Sequence, residues 1–298
     1  MTLYLAVTGG KGGVGKTTVA VNVAVTMMLR NYKVLLVDAD VDNPNDHLNL
    51  GVEIHVLKSI SIFTPNINAN KCVKCSECVR VCPENALLSM PGMFPVLFRD
   101  QCSGCRICQL ICKYDAISNM DKILGYIFKG VYNRLDLIGA ELNPGEARSP
   151  LLAKALIDYV KENSSIYDIV VIDTPPGVQN TVIQSIRIAD LALVITEPTL
   201  LGLSTLRLSL NALDKLNIPR VIVINRSNIS DSIKREIYDY AIKHGVHVAI
   251  EIPFSKVLID SSIKSIPVTA LTEDLPIIEI FRRLTDFIEQ SLKLRSSE

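Results

Sequence analysis

No apolar run in the sequence approaches the roughly 18 residues that a bilayer-spanning helix needs, so a membrane span is not expected. Charge of one sign is not in excess either. The 31 Lys and Arg are balanced by 31 Asp and Glu, which removes any global pull towards nucleic acid or anionic lipid. No cleavable leader is legible, because Met1–Thr8 runs directly into a strand pattern, and a cytoplasmic location is the expectation. Cysteine is absent from most of the chain: all 8 lie between Cys72 and Cys112. With no route to an oxidising compartment, such clustering argues against a disulfide framework and for metal ligation.

What is present is apolar and periodic. Hydrophobic residues make up 48% of 298 positions, enough for one large α/β domain with a small insert, or for two mid-sized domains. Short β-branched runs at Leu3–Thr8, Lys33–Asp38, Asp168–Asp173, Leu191–Thr196, Arg220–Asn225 and His247–Ile252 alternate with helix-length amphipathic stretches such as Lys16–Arg30. This is the pattern of an α/β fold with a doubly wound, mostly parallel sheet. The rhythm breaks between about Gly51 and Gly145, where proline, asparagine and cysteine take over. Within the break, the run from Cys72 to Leu87 returns at a constant offset as Cys102 to Ile117, which implies two pseudo-symmetric halves. A helix at Ala147–Asn163 leads back to the alternating pattern.

Directly after the first strand stands Gly10-Lys11-Gly12-Gly13-Val14-Gly15-Lys16-Thr17-Thr18. Two glycines around four residues, followed by Lys and Thr, form a P-loop. Its glycines let backbone N–H groups ring a phosphate, and the following helix adds its positive end. Lys16 supplies charge to the β- and γ-phosphates of ATP or ADP, and Thr17 a hydroxyl to Mg²⁺. The bland alternative is a glycine-rich turn that only starts a helix, but strand, loop, Lys-Thr and helix all stand in order.

Lys11 departs from an ordinary P-loop, and the motif resembles the deviant Walker A of the MinD/ParA family, which includes the nitrogenase iron protein and the Mrp-type iron–sulfur carriers. The resemblance implies a homodimer that sandwiches two nucleotides, with Lys11 reaching the partner's phosphates as a catalytic charge; otherwise Lys11 is a solvated surface lysine. Asp38-Ala39-Asp40-Val41-Asp42-Asn43-Pro44-Asn45 resembles switch I. Asp40 then orients the attacking water and Asp38 joins the magnesium network, although the two roles are interchangeable at this stage. Ile169–Asp173 with Thr174-Pro175-Pro176-Gly177 resembles Walker B and switch II. Asp173 is expected to hold Mg²⁺ through water, and the Gly177 N–H to touch the γ-phosphate. Asn225 and the loop at Pro253 resemble the adenine site, with Asn225 equally well a turn former. The segments Gly145-Glu146-Ala147-Arg148-Ser149 and Glu197-Pro198-Thr199 also match members of this family that carry a ferredoxin insert, without any role attached.

Both cysteine runs resemble the bacterial ferredoxin pattern, whose fourth cysteine crosses to the other cluster. That resemblance assigns Cys72, Cys75, Cys78 and Cys112 to one [4Fe–4S] cluster and Cys102, Cys105, Cys108 and Cys82 to a second. Lys113 stands where proline usually follows. Two tetrahedral zinc sites, each with four thiolates, are the alternative, as are clusters with a purely structural role. The implied organisation is a P-loop ATPase domain in two parts, 1–55 and 121–298, around a small α+β ferredoxin-like insert at 56–120. Three functions follow in order of expectation. They are an ATPase coupled to electron transfer with an unknown redox partner protein, an iron–sulfur scaffold or carrier, and a MinD/ParA-type positioning switch. For the last, Leu275–Leu292 is an amphipathic helix better suited to packing than to lipid.

Overall fold

The short β-branched runs become neighbouring strands of a nine-stranded sheet. The structure, a computed structural model, describes residues 2–272 and 275–293. The chain begins with β1 (Leu3–Thr8), α1 (Lys16–Leu29), β2 (Val34–Asp38), α2 (Asp46–Leu50) and β3 (His55–Ile62). Short elements carry the cysteines: β4 (Pro65–Ile67), α3 (Glu77–Arg80), β5 (Leu87–Leu88), β6 (Val96–Leu97), α4 (Ile107–Leu110) and β7 (Ile117–Asn119). The chain then forms β8 (Lys122–Tyr132), β9 (Leu135–Leu142), α5 (Ser149–Asn163), β10 (Ile169–Asp173), α6 (Asn180–Ile186) and β11 (Leu191–Thr196). It closes with α7 (Leu200–Lys215), β12 (Arg220–Asn225), α8 (Asp231–Lys243), β13 (His247–Ile252), α9 (Lys256–Ile263) and α10 (Pro276–Lys293).

The strand order is β13-β12-β11-β1-β10-β2-β9-β8-β3, and the pairs from β13 through to β9 are parallel. Alternate residues of one strand serve opposite faces. Leu5, Val7, Leu193 and Val223 join the core that contains α1 and α10, whereas Ala6, Ala192, Val194, Ile222 and Ile224 join the core beneath α6, α7 and α8. Burial on both faces explains why these strands read as continuous apolar runs. Register matters for the site. Asp38 pairs with Asp173, which in turn pairs with Val7, so the carboxyl ends of β1, β2 and β10 deliver their loops to one edge, where open α/β sheets bind ligands.

The chain divides into two compact units, the second made of Ser59–Tyr126 with Leu142–Arg148. It holds two small sheets, β4 with β7 and β5 with β6, both antiparallel. Its core is slight: Phe63, Leu87, Cys108 and Ile117 form one buried cluster, and Ala86, Cys102, Ala116 and Leu124 are buried as well. Two features depart from the sequence expectation. Residues 121–145 look irregular in sequence, yet β8 and β9 extend the large sheet, joined by a tight turn at Asn133 with φ 53°. And 142–148, placed by sequence in the ATPase part, belongs with the cysteines. The reason is local: Glu146 pairs with Lys122 and Arg148, and Arg148 donates to the Cys102 carbonyl. Among the described residues no helix is long and apolar enough to cross a membrane.

Candidate functional site

The loop between β1 and α1 is shaped for a ligand with many acceptors. At Gly10 an added Cβ would lie 2.5 Å from the Cβ of Thr205, on α7. Gly15 has φ 99° and abuts the Asn225 amide, so neither position accepts a side chain. Over Gly12 and Gly13, by contrast, an added Cβ would meet nothing within 4 Å, which leaves the crest of the loop open. Lys16 is buried, and burial lowers its pKa more than Asp173 and Asp40 raise it. Its ammonium lies 3.5 Å from the Lys11 carbonyl, pointing back along the loop. The Gly177 N–H reaches Gly9 at 3.4 Å, placing the Pro175-Pro176-Gly177 turn beside the loop.

Beneath the loop lies an unusual concentration of buried carboxyl groups. Thr17 Oγ1 donates to Asp173 Oδ2 at 2.5 Å. Asp38 accepts the backbone N–H groups of Asp40, Asn45 and Asp46 at 3.2, 2.7 and 2.9 Å, so it organises the segment after β2. Asp46, which carries no motif of its own, is fully buried against Asp173, and neither its carboxyl oxygens nor Asp173 Oδ1 meet an N–H or hydroxyl donor among the described residues. Burial foremost, then mutual repulsion, raises the pKa of Asp38 and Asp46, and burial raises that of Asp173. Orphaned acceptors of this kind fit a hydrated divalent cation, which would offset their charge. Asp40 is only half-buried; burial raises its pKa and Lys16 opposes that.

Lys11 is not a free surface lysine. Its Nζ makes a 2.6 Å ion pair with Glu197, whose side chain is 4% exposed, and Arg226 reaches the other carboxylate oxygen at 2.8 Å. Burial disfavours ionisation of Glu197, but the bonds from these two cations outweigh it and lower its pKa. Asn225, expected to read adenine, donates instead to the Val14 carbonyl at 2.8 Å and accepts from the Arg226 N–H. It still lines a cavity of about 260 Å³ with Gly15, Thr18, Arg226, Pro253 and Phe254.

The cysteine unit repeats in space as it does in sequence. Positive φ recurs at Lys74 and Gly104, Ser76 and Arg106, Asn85 and Asp115. The Ala86 N–H donates to Cys82 Sγ at 3.3 Å, and the Ala116 N–H to Cys112 Sγ at 3.4 Å. Cys72, Cys75, Cys78 and Cys112 line one cavity of about 280 Å³. Cys82, Cys102, Cys105 and Cys108 line another, which narrows to about 10 Å³. The donor sets suit a thiolate-held inorganic core in both; the first has room, and the second needs its side chains to turn outward. Burial pushes the Cys108 thiol up to about 11. Lys113 occupies the position of Pro83, yet α4 forms the same turn as α3. Among the described residues, no three His, Cys, Asp or Glu side chains close on a point suited to a single metal ion.

Sequence comparison decides the lineage. Residues 5–268 match the CobQ/CobB/MinD/ParA nucleotide binding domain. The chain belongs to this family. Its MinD/ParA members are ATPases, and this protein is an ATPase. An uncharacterized protein of Methanocaldococcus jannaschii is 33% identical over 77% of this chain and 82% of its own length. An iron-sulfur cluster carrier protein of Pyrococcus horikoshii is 27% identical over 97% of this chain and 86% of its own. Of solved structures, the cell division ATPase MinD of Pyrococcus furiosus superposes with a TM-score of 0.59 at 19% identity, covering 97% of this chain and 99% of that one. The shared fold is thus a MinD-like α/β sheet.

Proposed function

We propose that this family member is a homodimeric ATP switch with a ferredoxin-like unit (Ser59–Tyr126 with Leu142–Arg148) that holds two resident [4Fe–4S] clusters and exchanges electrons with a partner protein. The observation that carries the reading is the division of the cysteines. Each cavity is lined by one run's first three cysteines and the other run's fourth, as a pair of ferredoxin clusters requires. Zinc sites are typically built from separated Cys-x-x-Cys pairs, whereas each set here joins a run of three cysteines to a distant fourth. Held by these thiolates, the clusters supply one-electron redox chemistry.

In the ATPase part, Gly10, Gly12, Gly13, Val14 and Gly15 present amides to the phosphates, with Lys16 as the buried charge and Thr18 beside the nucleoside. Thr17 and Asp173, with Asp38 behind them, hold Mg²⁺. Asp40 is the water-positioning carboxylate: Asp38 is already committed to three backbone donors, whereas Asp40 stands near Lys16 and is partly open to solvent. Asn225 and Pro253 flank the adenine. Lys11 acts on the partner's phosphates, and to do so it must leave Glu197; Arg226 remains to hold the carboxylate. The Gly177 N–H exchanges Gly9 for the γ-phosphate and so senses hydrolysis.

A second reading, an iron–sulfur carrier, is favoured by the name of the Pyrococcus horikoshii relative. Against it stands the absence of cysteine outside residues 72–112, which leaves the ATPase part without thiols for a cluster shared across a dimer. The test is an anaerobic EPR redox titration with and without a non-hydrolysable ATP analogue, alongside transfer to an apo-ferredoxin acceptor. Two cubane signals with nucleotide-shifted midpoints and no transfer are expected. Quantitative transfer would replace electron exchange by the carrier function, and zinc without iron would end both.

A further inference from the structure

The segment Glu146-Ala147-Arg148-Ser149 has no part in nucleotide or cluster ligation, yet each of its ends grips a functional loop. At one end Ser149, the first residue of α5, donates from Oγ to Asp42 Oδ1 at 2.5 Å. Asp42 follows Asp40 in the loop after β2. At the other end the Arg148 guanidinium donates to the Cys102 carbonyl at 2.5 Å. It is fixed in that pose by Glu146, which takes its Nε and second terminal nitrogen and is itself held by Lys122 at 3.1 Å. The Arg148 and Glu146 side chains are 13% and 4% exposed, so this is a packed clamp. One peptide bond separates the two grips.

We propose that this segment transmits the nucleotide state to the second cluster, with Arg148 as the positioning residue for Cys102 and Ser149 as the residue that follows the switch. The inference rests on the electron-exchange reading above. A movement of the loop after β2 on ATP binding pulls on Ser149, and the rigid Glu146–Arg148 clamp passes the displacement to the loop carrying Cys102. Hydrogen bonding and charge around the thiolates set cluster potentials; Arg148 brings a positive charge to this loop and fixes it by donating to the Cys102 carbonyl. The first cluster, whose Cys72, Cys75, Cys78 and Cys112 receive no bond from this segment, is unaffected. Coupling of this sort is a free energy that two sites share through one two-state element, and it is measurable as such.

The experiment uses the full, anaerobically isolated protein as wild type, Ser149→Ala and Arg148→Met. Iron content and EPR midpoints of both clusters are read with and without a Mg²⁺-bound non-hydrolysable ATP analogue. Ser149→Ala is expected to keep wild-type midpoints without nucleotide and to lose more than half of the nucleotide-induced shift of the second cluster. Arg148→Met is expected to lower the second midpoint alone, because the reduced, more negative state loses its cation. If Arg148→Met fails to retain iron, Arg148→Lys restores the charge and is expected to return the midpoint towards wild type. Hydrogen exchange of 142–149 in the wild type supplies an independent readout, with protection expected to differ between analogue and ADP. A full nucleotide shift in Ser149→Ala, or unchanged exchange, overturns this inference while leaving the electron-exchange reading intact. A wild type without nucleotide-sensitive midpoints overturns both.

Discussion

At the scale of single residues the site is governed by buried charge. Lys16, Thr17, Asp38, Asp40 and Asp173 were legible because glycine spacing and strand-end carboxylates are local signals. Asp46 was not, since a lone Asp four residues past a strand-end acidic turn looks like a solvated helix start. Glu197 and Arg226 are legible as residues but not as a pair, because the ends of β11 and β12 meet only in the folded sheet. Asp46 yields a quantitative expectation. Its pKa is raised in the fold, so the stability linked to it is present below the ordinary value of 3.8 and is lost as pH rises towards the folded value. Asp46→Asn removes that loss. Without nucleotide the variant should gain about 1–3 kcal/mol at pH 8, the usual cost of a buried unsatisfied group, and less at pH 5, since the loss accrues as pH rises from 3.8. Urea unfolding of the nucleotide-free protein at the two pH values measures it. A loss at pH 8 shows that Asp46 is ionised and satisfied by the fold, and an equal gain at both pH values shows that the gain is not linked to its titration.

At the scale of elements, sequence and structure agree wherever one strand feeds one helix. β1, β10, β11, β12 and β13 lie within a residue of the apolar runs that announced them. The hairpin of β8 and β9 was missed for a physical reason. Its turn at Asn133 follows a segment dense in proline and cysteine, and its strands carry polar residues such as Lys129 and Asp136 among the buried ones, so the uninterrupted apolar signal of the other strands is lacking. Helix α7 shows how an element outside the motif constrains it. The Thr205 Cβ and carbonyl sit 2.5 and 2.8 Å from where a Gly10 Cβ would be. Gly10→Ala must therefore push the phosphate loop away from α7, an overpacking cost of about 1–3 kcal/mol. The loop amides then miss the phosphates, and ADP affinity measured by calorimetry should fall at least roughly tenfold, one factor of ten per 1.4 kcal/mol. Thr205→Gly removes the side-chain half of the clash and should recover part of the loss in the double variant. Full affinity in Gly10→Ala alone would mean that the loop binds phosphate in a different pose.

At the scale of the whole molecule, two units of unequal means share one chain. The large sheet buries apolar clusters on both faces, while the cysteine unit has a small cluster of Phe63, Leu87, Cys108 and Ile117, with Ala86, Cys102, Ala116 and Leu124 also buried. So small a core cannot offset the conformational entropy of some seventy ordered residues, at about 1–2 kcal/mol each, unless ligation at the cysteines closes its loops. The ATPase part needs no such staple, and its stability answers instead to nucleotide. Ligands that bind only the folded state stabilise by RT ln(1 + [L]/Kd), about 2.7 kcal/mol at a hundredfold excess over Kd, or about 5–10 °C at 2–4 °C per kcal/mol. Calorimetry of the anaerobic protein should thus show two transitions. Mg²⁺ with ADP should raise one of them by that amount, and iron chelation should abolish the other while leaving the nucleotide-sensitive one within a few degrees. Limited proteolysis after chelation should cut first between 68 and 115. A single transition moved equally by nucleotide and by chelation would instead make the units one cooperative body, and iron removal would then unfold the ATPase as well.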